Sequence, residues 1–551
     1  MKTHAVLLTS VLLFLLAGCS PETSIPDEPP SPTPGPSATL QPTATPEGFG
    51  LWIAPAAPDD LRRAALAAGL PAAHSPETAL VRLETSLPNS QLPTSQSTWI
   101  YALVAPFPTV SDGINFEQLR QAWAGQQPSV FAGKSLLAAP DTYEALKSIF
   151  NGEAAQGAVK IVPAGELAEA LWQDTSQWGI VPFEALHPKL KVLTVDGQSP
   201  LHNNFNAAIY PLKATFNLQP ITPEAGAGFN VPASNRDPAK LTSVLMTGTS
   251  ALVRAIAFRM EEKGLTYPGR DLRSWLRGAD VLHVSHEVAL AETCPPPSYD
   301  THDLRFCGRP EYIKLFEDVG VDVVEVTGNH VNNWDVWPFA DTLEMYTTRG
   351  WLYFGGGVDL TDAREPALLE RAGTKLAFVG CNVAGPPVAF ATETLPGAAD
   401  CGNYAWLIET IRDLRTRGYI VIATQQYGEY YQPKPTENQV RDFARLAEAG
   451  ATIVSGSQAH YPQTMTFSGD SFIHYGLGNL FFDQMSYQLP HSGEFTYRTR
   501  DEFLDRHVFY DGKYIGLELL TATLEDHSRP RPMTPQERFD FLTAYFRDSG
   551  W

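Results

Sequence analysis

The sequence predicts an α/β protein built in two parts, and three observations carry that reading. At 551 residues the chain exceeds what one hydrophobic core organises, so more than one core is expected. Short apolar, β-branched runs alternate with helical periodicity along most of it, the pattern of strands and covering helices. Two stretches rich in Pro, Gly, Ala and polar residues, 19–47 and 219–239, interrupt the alternation and divide the chain into 48–218 and 240–551.

Composition limits the partners. Hydrophobic residues make up 43% and charged residues 18%, ordinary for a globular chain, but 40 basic against 61 acidic side chains leave a net charge of -21. Such a surface repels nucleic acid and anionic membranes, so no nucleic-acid partner is expected.

The opening "MKTHAVLLTSVLLFLLAGCS" has a basic start, an apolar stretch from Ala5 to Leu16 and small residues before Cys19. It reads as an export signal over 1–18, too short to span a bilayer. "LAGC" resembles the lipobox of bacterial lipoproteins, which implies cleavage before Cys19, a lipid on that cysteine and an extracytoplasmic, membrane-anchored protein. The plainer alternative is a secretory signal with an incidental cysteine. Residues 19–47, dominated by Pro, Ser and Thr, read as an extended tether with little apolar surface to bury.

Export favours paired thiols. Cys294, Cys307, Cys381 and Cys401 allow three pairings. Cys294 with Cys307 and Cys381 with Cys401 close the shortest loops, each containing Pro or Gly turns, and are the expected bonds. No C-x-x-C spacing supports the rival four-thiolate zinc site.

Within 48–218, "TWIYALVAPF" reads as a strand, "NFEQLRQAWAG" and "TYEALKSIF" as helices, and "WGIVPFEAL" and "KLKVLTVDG" as strands joined by a turn. The order "YALVAPF", "INFEQLRQAWAG", "QWGIVPFEALHPKLKVLTVDG" resembles the type 2 periplasmic solute-binding proteins. Asp112, Gly113 and Ser199 are loop candidates for ligand contacts, with ordinary turn chemistry as the alternative.

From Leu241 the alternation becomes regular: "LTSVLMTG", "ADVLHVSHEVAL", "VDVVEVTGNH", "TKLAFVGCN", "YIVIATQQ" and "ATIVSGSQAH" read as strands separated by helical segments. Near-continuous Val/Ile strands imply burial on both faces. Ligands of such folds gather at the carboxyl ends of strands. Those ends carry Thr249, His286 and Glu287, Asn329 and His330, Gln425 and Gln426, and Gln458 and His460.

Together "VTGNHVNNWD", "QYGEYYQPKPTENQ", "VSGSQAHYPQ" and "IHYGLGNLFFDQ" resemble the capsule-synthesis CapA family, associated with bacterial poly-γ-glutamate, over about Leu241 to Asp483. The resemblance implies a metallophosphatase-like layered β-sandwich flanked by helices. It also implies two divalent cations held by Asp, Glu, Asn and His that activate a water. Several ligand positions depart from the family pattern. Gly-Asp becomes Gly248-Thr249, Asn-Leu-Glu becomes Ser285-His286-Glu287, Asn-Asn-His becomes Gly328-Asn329-His330, an imidazole becomes Gln425 or Gln426, and His-Pro-His becomes Gln458-Ala459-His460. What survives implies one weakly held divalent ion (Mn, Zn or Mg) on Glu287, Asn329 and His460, with His330 as the leaving-group acid and Thr249, Gln426 and Gln458 as binding residues.

Taken singly, Asn329 reads equally as an Asx turn or cap, His330 as a structural histidine, and Glu287 as a surface ion-pair partner. Three functions stay open. The first is a metal-dependent hydrolase of the metallophosphatase type, acting in synthesis, release or anchoring of an acidic surface polymer. The second is a non-catalytic pseudoenzyme binding that polymer or its synthesis machinery. The third is a tethered solute receptor working through 48–218.

Overall fold

A computed structural model describes residues 48–85, 95–489 and 492–551. The expected export signal, Cys19 and the expected tether lie outside the described residues. From Gly48 to Trp551 the chain forms one compact unit.

The first part is built on a sheet that is nine-stranded among the described residues. Its spine is Ser95–Pro106, whose apolar residues are buried almost throughout. The first half of this strand pairs with Lys213–Pro220 and the second with Gln177–Pro182 and Leu190–Val195. The helix Phe116–Trp123 starts where the sequence places it, because Asn115 and Gln118 form a reciprocal capping box. The stretch 219–239 is not a free linker. It lies along the spine strand, with Thr98 N–H donating to Ala233 O at 2.8 Å and Asn235 Oδ1 accepting from Ile100 N–H at 2.8 Å.

From Leu241 two sheets stack. One is eight-stranded: Leu352–Phe354, Val323–Glu325, Val281–His286 and Leu241–Met246 run parallel, followed by the antiparallel Asp501–Tyr510, Lys513–Glu525 and Arg529–Pro532, with Thr249–Ser250 beside Val281–His286. The other is six-stranded, with Thr374–Asn382, Ile420–Gln426, Ile453–Ser457 and Ser471–His474 parallel at its centre. Residues from both sheets, among them Met246, Phe354, Phe378, Ile422 and Phe503, share one core. The helices Arg254–Lys263, Lys314–Val319 and Val336–Thr348 bury the outer face of the first sheet, and Ala405–Thr416 and Glu437–Ala449 that of the second. The central strands therefore have no polar face, which is why they read as continuous apolar runs. Burial on both faces and the layering of two sheets between helices are as expected, but three of the first sheet's eight strands come from C-terminal hairpins whose antiparallel strands the sequence reading did not resolve.

The helix Pro535–Asp548 seals the sheet stack with Phe541, Leu542, Tyr545 and Phe546. Phe107, at the end of the spine strand, packs edge-on against Phe467, Phe472, Phe546 and Trp551 at ring separations of 5.5–6.0 Å, joining the two parts. Both expected disulfides form, Cys294–Cys307 and Cys381–Cys401. The first closes the loop that ends at Phe306. Among the described residues no helix is long and apolar enough to cross a membrane.

Candidate functional site

The carboxyl ends of the parallel strands meet at a groove of about 610 Å³. Two close approaches fix its floor. Gly328 passes so near Glu287 that a Cβ there would lie 2.4 Å from the Glu287 Cα, so only glycine fits. His330 then continues beside Val288 as a parallel bridge. On the facing sheet Gln458 and His460 both adopt left-handed backbone, φ +74° and +51°. Such strain costs about 1–3 kcal/mol per residue and concentrates at functional sites.

The groove wall is a ladder of flat groups. Phe306 stacks on His330 at 3.8 Å, and Phe482 on His460 at 4.5 Å. The Arg254 guanidinium lies over both phenylalanines, 5.2 Å and 5.0 Å from their ring centres. Asp483 holds it in place, accepting from Arg254 Nη2 at 2.5 Å and from Nε at 3.2 Å. Across the groove Tyr431 stacks on Tyr487 at 3.6 Å, and the exposed Glu429 stands on the rim. His330 and His460 line this groove, as expected. Glu287 lies beneath it, 1% exposed, and neither carboxylate oxygen has a hydrogen-bond partner.

The remaining expected site residues lie together at the floor, where the buried Gln458 side-chain amide has no hydrogen-bond partner. Gln426 Nε2 donates to Asn329 Oδ1 at 2.9 Å, and Gln458 N–H donates to Thr249 Oγ1 at 3.2 Å. Asn479, from "GLGNLFFD", accepts from His460 Nδ1–H through its Oδ1 at 2.7 Å and so fixes that ring. The reading of Glu287 as a surface ion-pair partner is thereby overturned: it is a buried carboxylate. In the first part, Asp112 bridges Lys191 and Arg538, and Ser199 is buried with its hydroxyl accepting from Leu201 N–H, so both hold the fold together. Gly113 packs so closely on Thr194 that a Cβ would lie 1.8 Å from its hydroxyl.

Burial sets the protonation states. It raises the Glu287 pKa to about 8, with Glu429 adding to the effect and Arg254 opposing it. Burial, with the nearby His460 adding to it, lowers the His330 pKa to about 4. Both are neutral at pH 7.

These donors do not fit a two-ion centre. A pair of divalent cations needs several carboxylates and imidazoles, whereas Glu287 is the one carboxylate at the floor, and neutral Thr249, Gln426 and Gln458 stand at three of the other positions. Among the described residues no group of three or more His, Cys, Asp or Glu side chains is placed to hold a metal ion.

Sequence reasoning found the floor but not Arg254, Phe306 or Glu429. Arg254 sits inside a helical pattern and opens its helix with φ +49°, which periodicity does not register. Phe482 and Asp483 belong to the "IHYGLGNLFFDQ" stretch that carries part of the family resemblance.

Residues 243–484 match the family model described as bacterial capsule synthesis protein PGA_cap. The capsule biosynthesis protein CapA of Bacillus anthracis is 24% identical over 308 residues, 55% of this chain and 72% of that protein. The PGA biosynthesis protein CapA of Bacillus subtilis (strain 168) is 28% identical over 177 residues, 32% of this chain and 46% of that protein. Among solved structures, an NAD nucleotidase from Haemophilus influenzae aligns over 56% of this chain and 60% of its own, at 10% identity and a TM-score of 0.28. An ABC-type phosphate transport receptor from Vibrio cholerae aligns over 29% and 71%, at 13% identity and a TM-score of 0.23. The matched stretch holds Arg254, Glu287, Phe306, Asn329, His330, Glu429, His460 and Asp483, and over residues 243–484 the chain is similar to the bacterial capsule synthesis proteins.

Proposed function

We propose that this protein serves capsule-type polymer assembly outside the cytoplasm, held to the membrane through Cys19 and the Pro-rich tether, and that its groove binds a segment of acidic surface polymer without cutting it. One observation carries the binding half. Of the residues that would complete a metal centre, Asn329 has its Oδ1 taken up by neutral Gln426 and Thr249 accepts from the Gln458 backbone N–H, while the groove above them is walled by stacked rings. Rigid aromatic walls with a few fixed polar groups suit binding. Arg254 is matched by Asp483, so stacking and hydrogen bonds contribute more than net charge. The metallophosphatase-like layering of 240–551 and the periplasmic-binding-like character of 48–218 belong to the same reading: a scaffold inherited with its cleft, joined to a second α/β part.

Calorimetry with short poly-γ-glutamate chains tests it. The wild-type protein is expected to bind them and to leave their length unchanged with manganese or zinc present, while Phe306→Ala weakens binding roughly tenfold. Shortened chains would overturn the non-catalytic reading, and undetectable binding would overturn the choice of ligand.

A second reading is favoured by the two partnerless oxygens of Glu287, since a buried carboxylate calls for a proton or a cation. In it, one divalent ion rests weakly on Glu287, Asn329 and His460. Manganese titration separates the two: under this reading, binding is lost in Glu287→Gln.

A further inference from the structure

A second cavity, sharing no residue with the groove, lies where the two parts of the protein meet. Its volume is about 360 Å³. It runs beside the strand Lys513–Glu525, whose stretch from Leu517 to Thr521 has no strand partner on that side, because Arg529–Pro532 pairs only from Ala522 onward. Strand Leu190–Val195 of the first part faces it with Lys191 and Thr194. Leu519, Met533, Leu542, Phe546 and Phe107 give the cavity an apolar wall.

One end is charged. Lys191, Arg506 and Arg538 stand there against Asp112 and Glu518, so cations exceed carboxylates by one. The three cations differ in what they have left to give. Lys191 Nζ donates to Thr109 O, Val110 O and Asp112 Oδ1 at 2.7, 3.2 and 2.7 Å, which uses all its protons. Arg538 grips Asp112 through Nε and Nη2, both at 2.8 Å, and gives Nη1 to Leu519 O. Arg506 donates only through Nη1, to Glu518 Oε2 at 3.2 Å, and that carboxylate is shared with His202 at 2.8 Å. Its buried Nε–H has no partner. An unpaired buried donor on a cation is costly unless something accepts from it.

We propose that this seam cavity is a binding site for a compact monocarboxylate, its anionic head accepting from Arg506 and its short apolar body lying against Leu519, Met533 and Leu542. A single negative charge matches the net excess of one cation at this end. Because the walls come from both parts of the chain, an occupied cavity ties 48–218 to 240–551. Burial lowers the Lys191 pKa to about 8 even with Asp112 beside it, so an added anion also relieves the lysine.

Hexanoate and 1-hexanol, titrated into the full chain by calorimetry at pH 7, differ only in the head group. Hexanoate is expected to bind once per chain, roughly tenfold or more tighter than hexanol, the worth of one charge-assisted hydrogen bond. Arg506→Met should reduce hexanoate to the hexanol level, and Met533→Trp, which fills the cavity, should abolish both. Equal affinity for the two probes overturns the site, as does hexanoate binding that survives Arg506→Met or Met533→Trp. Should Arg506→Met fail to fold, the probe comparison on the wild-type chain and the Met533→Trp result decide. Loss of polymer binding at the groove would not bear on any of these outcomes.

Discussion

Glu287 and Glu325 are both acids buried to within 2% at the ends of neighbouring strands, yet their surroundings are opposite. Glu325 accepts from Thr327 Oγ1 at 2.5 Å and Ser457 Oγ at 2.8 Å, with His283 Nε2 at 3.4 Å. Burial alone would raise its pKa, but these donors and the His283 imidazole bring it below the ordinary value. Glu287 has no such donors, and burial carries it to about 8. Burial depth does not tell a satisfied carboxylate from an orphaned one; the count of partners does. A satisfied acid knits two sheets together, whereas an orphaned one beneath a groove holds interaction capacity in reserve.

Removing the satisfied acid should give the largest effect. Glu325→Ala leaves three donors facing a void between the sheets, and a loss of about 3–5 kcal/mol is expected in urea denaturation at pH 7. A loss under 1 kcal/mol would mean that water replaces the carboxylate and that the contrast with Glu287 is weaker than its hydrogen bonds indicate.

Removing charge from the orphaned acid should do the reverse. The folded pKa of Glu287 is raised from 4.5 to about 8. The unfolded chain therefore releases this proton near pH 4.5 while the folded one keeps it, so the contribution to stability is full below pH 4.5 and falls as pH rises toward 8. Glu287→Gln removes that dependence and should be more stable than wild type by roughly 1–3 kcal/mol at pH 8, with little difference at pH 4.5. Parallel stability profiles for the two proteins across that window would show that a partner neutralises Glu287 in solution.

Much of this was legible before the fold. The two-face burial of Ile420–Gln426 and the capped start of Phe116–Trp123 follow from local sequence, since apolar continuity and capping act over a few residues. The disulfides follow from short loops. Strand ends pointed to Glu287, Asn329, His330 and His460, because parallel strands deliver their ends to one edge. What escaped depends on chain segments far apart. Arg254 gains its meaning only from Phe306, Phe482 and Asp483 around it, and the stretch 219–239 resembles a linker because its hydrogen-bond partners lie on a strand more than a hundred residues earlier. The neutral pairing at the groove floor was equally hidden: Gln426 reads as a lost ligand in sequence and as the clamp on Asn329 in space.

That clamp supplies the smallest expected effect and the finest test of the comparison. Gln426→Met keeps the length and volume of the side chain but removes the Nε2 donor that Asn329 Oδ1 accepts from. Asn329 is only half-buried, so water can take over the lost bond, and the stability cost should be near the net worth of one neutral hydrogen bond, about 0.5–1.5 kcal/mol. Glu325 does not depend on Gln426, so its stabilising contribution, measured by adding Glu325→Ala to the Gln426→Met background, should be nearly additive. A coupling above about 1 kcal/mol would show instead that Thr327, which lies 2.5 Å from Glu325 and 3.5 Å from Gln426 Oε1, transmits strain between floor and core. The satisfied and the orphaned acid would then belong to one network rather than two.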